Sequence, residues 1–169
     1  MDKHIITAEE FQELARPVSV HIDEDEVMAF VRESEDMYII PAIGYEECQK
    51  LAGSDELTTE DTVLLSGGEW TDKDGKKHYC NGLKMATAYF AYARMSRSDG
   101  AIIARTGFMS HNDEYASHVA DVDKRKRYND IMEVAEQYLS GCLAYWKSIK
   151  GDVVKPVRGS RARIHVIGD

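Results

Sequence analysis

Cysteine is scarce in this chain, and its placement excludes two kinds of architecture. Cys48, Cys80 and Cys142 are odd in number and far apart, with no Cys-x-x-Cys pair. Neither a zinc knuckle nor a disulfide framework follows from that spacing. Three reduced thiols are expected, Cys142 among them as a small buried side chain of a helix. No run of residues is long and apolar enough to span a membrane. The opening Met1–Thr7 segment lacks the apolar core of a signal peptide, which points to a protein made and kept in a cytoplasm, or assembled there. The common signatures of catalysis are missing too. There is no Gly-x-x-x-x-Gly-Lys-Ser/Thr loop, no Gly-x-Gly-x-x-Gly and no His-Glu-x-x-His. A Gly-x-Ser-x-Gly elbow is likewise absent. Asp72-x-Asp74-Gly75 begins like a calcium loop, but its glycine comes too early and Leu83 stands where a bidentate glutamate is required. The expectation is a protein that is not an enzyme and holds no cofactor.

What is present suits one domain with a real core: 169 residues, 43% hydrophobic and 30% charged. The net charge of −9 is unevenly spread. Residues 1–61 hold 17 acids and 4 Lys/Arg, whereas residues 62–169 hold 13 acids and 17 Lys/Arg. An acidic front and a mildly basic back suit head-to-side pairing between copies, or simply a solvated acidic surface. The overall sign argues against a protein wholly devoted to binding nucleic acid.

The strongest periodic signal is Tyr128–Ile149. Tyr128, Ile131, Ala135, Tyr138, Cys142, Tyr145 and Ile149 recur at steps of three and four, and Met132, Leu139 and Trp146 widen the stripe. Asn129, Asp130, Glu133, Glu136, Gln137 and Lys147 fill the opposite face. This is an amphipathic helix, with a start that Asp121 or Asp123 can cap. Its stripe reads as core, or in part as a face for a neighbouring subunit. Gly141 inside it lets another backbone come close. A second helix, from Cys80 or Asn81 to about Ser98, is apolar almost all round and rich in alanine, so it is expected at the centre.

The first half predicts shorter helices. Thr7 with Glu10 forms a capping box for a helix to Ala15. Asp23 caps one that carries Glu24, Asp25 and Glu26 in its first turn and is expected to stop near Ile40, before Pro41. Tyr45–Ala52 and Glu60–Ser66 follow, each closed by glycine. Glu69–Tyr79, with Asp74-Gly75 at its centre, reads as a hairpin that stands out from the body. Ala101–Ala104 fits either an extension of the central helix or a strand. The sum is a mainly α fold: a helical bundle over residues 1–150, with a hairpin insertion at 69–79, a long C-terminal helix, and an extended C-terminal arm over 151–169.

Two stretches qualify as sites. His111, Asp113, Glu114 and His118 offer donors suited to zinc or manganese, as a metal-dependent hydrolase or nuclease would use. The same residues also suit a polar loop whose acids cap the next helix, and no metal site is assigned. The remaining histidines, His4, His21, His78 and His165, are expected on the surface or in the hairpin. The arm carries Lys155, Arg158, Arg161 and Arg163 with no acid between Asp152 and Asp169. Its Val153, Val154, Val157, Ile164, Val166 and Ile167 want burial. Strand addition to a neighbour therefore fits the arm better than phosphate binding, and folding back on its own domain is the alternative. Trp70, Tyr79, Val153, Val154, Val157, Arg161, Arg163, Ile164 and Val166 form the expected interface. Lys124–Arg127 with the tail would instead serve a small DNA-binding regulator.

The order of parts resembles a known family. An acidic amphipathic helix, the corner Tyr38-Ile39-Ile40-Pro41-Ala42-Ile43-Gly44, an alanine- and tyrosine-rich central helix, a long last helix and a strand-like tail are similar to the head–tail connector (adaptor, or neck ring) proteins of tailed bacteriophages, particularly those of Bacteroides-type phages and prophages. The resemblance runs from about Asp23 to Ile167. It implies a non-catalytic helical bundle forming a ring, usually of twelve copies, beneath the portal protein in the neck of the virion. The implied partners are the portal, a tail or second neck protein, and genomic DNA passing through the channel without sequence-specific contact. No membrane is involved, and assembly is expected in the host cytoplasm. Ring closure needs two different complementary patches on one chain, and the charge asymmetry is able to supply them.

Overall fold

The computed structural model describes residues 3–16, 23–54, 56–98, 101–104, 107–110 and 121–151. The C-terminal arm and the His111–His118 cluster lie outside these residues, as do His21 and His165.

Mainly helical architecture is what the periodicity predicts and what forms. The chain runs through α1 (Ala8–Leu14), α2 (Glu24–Ser34), a π-helical turn (Glu35–Ile39), α3 (Ile40–Ile43), α4 (Tyr45–Gly53) and α5 (Thr59–Ser66). A hairpin of β1 (Gly68–Thr71) and β2 (Lys77–Cys80) leads into α6 (Leu83–Ser98). A second hairpin, β3 (Ala101–Ala104) and β4 (Gly107–Ser110), precedes α7 (Asp121–Lys150).

The helix starts follow their caps. Thr7 and Thr58 each close a reciprocal capping box, with Glu10 and Asp61, and the Asp23 side chain accepts from the Asp25 N–H. Pro41, however, does not stop the second helix. The backbone widens first, with the Ile40 N–H reaching the Glu35 carbonyl, and helix continues to Ile43. Proline lacks a donor and needs room for its ring, and the π turn places it in the first turn of a new segment, where neither is a fault. Gly44, at φ 89°, ends that segment.

α6 begins at Leu83, later than Cys80 or Asn81, because Cys80 is still paired in the hairpin opposite Gly68. The turn between β2 and α6 presses Gly82 (φ 88°) onto Gly67 (φ 91°); a Cβ on Gly82 would lie 2.6 Å from the Gly67 nitrogen. Only glycine tolerates both the angle and the approach. Ala101–Ala104 is a strand, antiparallel to Gly107–Ser110 with Ala101 opposite Ser110.

α7, with 30 residues, is about 45 Å long at the usual rise. It packs antiparallel along α6: Arg127 meets Tyr92 near one end, Tyr89 and Tyr138 meet edge to face at 5.1 Å, and Cys80, just before α6, meets Cys142. Ile131, Ala135, Cys142, Tyr145 and Trp146 are buried, while Asn129, Asp130, Glu133, Glu136, Gln137 and Lys147 are exposed, as the stripe predicts. α6 is central: Leu83, Ala86, Thr87, Ala88, Phe90, Ala91, Tyr92 and Ala93 are all buried. On its other side α2 packs, with Tyr38 stacked on Phe90 at 4.2 Å. Among the described residues of one chain, a Cβ on Gly141 would meet nothing within 4 Å.

Candidate functional site

The β1–β2 hairpin is the first surface to consider. Its tip is closed by Asp72, whose carboxylate accepts from the Asp74 and Lys76 N–H groups at 3.0 and 2.8 Å and pairs with His78 at 2.7 Å. His78, followed by the two backbone donors, holds the Asp72 carboxyl below its usual range. That carboxylate is a turn brace, as the mismatch to a calcium loop implies. Trp70 lies opposite His78 in the ladder and stacks on it at 4.6 Å, then leans on Tyr145 of α7 at 5.6 Å. The hairpin is therefore docked on α7 by Trp70 and by the buried Cys80, rather than standing free. Tyr79, between the inward-facing His78 and Cys80, points outward and is 65% exposed. Of the two hairpin residues expected at an interface, Tyr79 is open to solvent and Trp70 is half-buried. Val153, Val154, Val157, Arg161, Arg163, Ile164 and Val166 lie outside the described residues.

Two further large apolar side chains are exposed, Met37 in the π turn and Tyr45 at the start of α4. Charge is distributed just as unevenly. Asp23, Glu24, Asp25 and Glu26 are all exposed at the head of α2, and Arg125, Lys126 and Arg127 are all exposed near the head of α7. The acids stand where the helix dipole favours them. The cations stand near the end where it does not. Arg127 donates to the Tyr92 hydroxyl at 2.6 Å, and Arg97, from the last turn of α6, lies 5.4 Å over the Tyr128 ring. The basic head of α7 is thus joined to the C-terminal end of α6.

Three polar clusters were not visible in the sequence. The first pins the N-terminal segment: buried Glu35, in the π turn, accepts from the Ile5 N–H at 2.6 Å and pairs with His4 at 2.7 Å. His4 is thus a half-buried anchor, not a surface residue, because the wide turn aims Glu35 inward. The second joins α4, α5 and α7. Lys50 reaches buried Asp61 at 2.7 Å, Lys150 reaches Glu47 at 3.0 Å, and the Lys150 ammonium lies 4.3 Å over Trp146. Burial pushes the Asp61 pKa up, but hydrogen bonds from Lys50 and Thr58 prevail and leave it lowered. The third is Cys80 with Cys142, whose sulfurs are 3.4 Å apart. Cys48 is buried elsewhere, and burial together with Glu35 and Asp36 pushes its thiol up to about 11. Residues far apart in sequence without a shared period make all three clusters; only the fold brings them together.

Among the described residues no group of three or more His, Cys, Asp or Glu is arranged to hold a metal ion. No helix among them is long and apolar enough to cross a membrane.

Residues 39–152 match a family described as Family of unknown function (DUF6712), and the match spans more than half of the chain, so the protein belongs to that family. No curated protein and no solved structure matches it.

Proposed function

We propose that this chain is a structural virion protein, a head–tail connector whose copies assemble into a ring between portal and tail around the path of the DNA. The observation that carries the reading is the chain's mismatched exterior. One protomer exposes an acidic helix head, Asp23–Glu26, a basic helix head, Arg125–Arg127, and the large apolar side chains Met37, Tyr45 and Tyr79. Two unlike, complementary patches on one chain suit a heterologous contact that closes into a ring. Electrostatic matching of that kind sets register and partner choice. The resemblance adds the portal and a tail or second neck protein as partners, with twelve as the usual number of copies.

The mass of the full chain in solution, compared with that of a form ending at Lys150, tests this reading. The full chain is expected to form a defined multimer and the shortened form to lose it. A full chain that stays monomeric at low and high concentration contradicts the proposal; a shortened form that assembles equally well removes the arm from the interface.

A second reading, a DNA-binding regulator, draws on the same exposed Arg125, Lys126 and Arg127. It requires a gel shift of duplex DNA that weakens with salt. Absence of a shift at low salt dismisses it.

A further inference from the structure

Cys80 is the last residue of β2 and Cys142 lies in the C-terminal third of α7, so the contact between them joins the hairpin to the long helix. Both side chains are 0% exposed, both are free thiols, and their sulfurs are 3.4 Å apart. Two thiols in the core often do no more than pack as small apolar groups. Here the pair has two further properties. The sulfurs need close by only about 1.4 Å to reach disulfide bonding distance. The pair is also chemically unequal. A hydrogen bond with Cys142 lowers the Cys80 thiol and outweighs the opposing effect of burial; with help from the Gly82 N–H it comes down to about 7. Cys142, through the same contact and through burial, is pushed far up and keeps its proton. The contact thus favours the thiolate at Cys80 and the thiol at Cys142.

We propose that Cys80 and Cys142 are an oxidation site, a buried dithiol that a small neutral hydroperoxide converts to an intramolecular disulfide clamping the β1–β2 hairpin to α7.

The chemistry balances in two steps. The Cys80 thiolate attacks one oxygen of hydrogen peroxide; the O–O bond breaks, Cys80 becomes a sulfenic acid, and the departing hydroxide takes a proton to become water. The Cys142 sulfur then attacks the Cys80 sulfur. The S–S bond forms, the S–O bond breaks, and the hydroxide released takes the Cys142 proton as a second water. Two thiols lose two electrons in total, and one peroxide is reduced to two waters. Both sulfurs are 0% exposed, so burial favours a small neutral oxidant over a bulky, charged disulfide such as oxidised glutathione. Cys48 lies in α4, outside the Cys80–Cys142 contact, and burial raises its own thiol, so it is not expected to supply the attacking thiolate. The clamp would fix the strand that presents Tyr79, adjacent to Cys80, against the helix. It rests on the geometry of the two sulfurs and is independent of the proposed virion role.

The test is to treat the reduced full chain with hydrogen peroxide in native buffer, then denature it, cap remaining thiols with a maleimide and map the peptides. One maleimide per chain, on Cys48, and a Cys80–Cys142 cross-linked peptide are expected. The oxidised chain is also expected to unfold about 10 °C higher, a gain lost on reduction. A Cys48→Ser variant should behave as the wild type does. Three capped thiols, a cross-link that involves Cys48 or a second chain, or Cys80 carried to its sulfinic acid with Cys142 still free would each overturn the proposal. The wild-type peptide map decides the matter alone, so the result does not depend on whether a Cys80 or Cys142 variant folds.

Discussion

The two ends of α7 obey different rules. At its C-terminal end every charge is placed as stability would have it. Lys147 and Lys150 occupy the last turn, where the dipole favours cations, and Lys150 pairs with Glu47 and covers the buried Trp146. At its N-terminal end Asp121 and Asp123 occupy the first turn, where the dipole favours acids, and Lys124–Arg127 puts four cations in a row straight after them, of which Arg125, Lys126 and Arg127 are exposed. The first end is explained by the fold of one chain. The second serves the fold only in part: Arg127 binds Tyr92, while the exposed Arg125 and Lys126 are what the proposed association would use.

The comparison breaks most readily at the C-terminal end. Trp146 is 5% exposed and supports both the core and Lys150. Trp146→Ala is expected to cost about 4 kcal/mol in a denaturant titration. A loss below about 1 kcal/mol would mean that this end is not part of the core.

Asp61→Asn should have the next largest effect, about 1 kcal/mol at neutral pH, a modest figure because solvent reaches Lys50. The folded-state pKa of Asp61 is lowered. Its contribution is therefore complete above the usual carboxylate range and is lost as pH falls through the folded-state value. Thermal midpoints of wild type and variant should differ at neutral pH and converge in acid. A constant difference would show that the charge of Asp61 is not the source.

Gly141→Ala should act in the opposite direction. Among the described residues nothing lies within 4 Å of the added methyl group, so the helix is expected to gain up to about 1 kcal/mol. A loss of stability would reveal a close neighbour, such as another copy of the chain. Smallest of all, Arg125→Gln with Lys126→Gln should change the stability of the folded chain by less than about 0.5 kcal/mol.

What the sequence made legible follows the same division. The α7 stripe could be read residue by residue, because burial along one helix face repeats with the helix period. Thr7 and Asp23 announced their helices through local hydrogen bonds. Nothing periodic connects His4 with Glu35, Lys50 with Asp61 or Cys80 with Cys142, so those contacts waited for the fold. The π turn escaped as well. Pro41 reads as a stop signal, and only the extra residue inserted at Glu35–Ile39 lets the helix pass it. The same turn buries Glu35, so one local irregularity hid two features. Trp70 looked like an exposed hairpin residue because the docking of that hairpin depends on Tyr145, far along the chain.

The central claim is that Arg125 and Lys126, exposed at the basic head of α7, serve the proposed association rather than folding. Light scattering of the full chain carrying Arg125→Glu and Lys126→Glu, beside the wild type at low and high salt, tests it directly. The wild type should be a multimer that high salt weakens, and the reversed variant should be a folded monomer whose unfolding midpoint matches that of the wild type dissociated by high salt. A variant that assembles like the wild type, or one that unfolds, would contradict it.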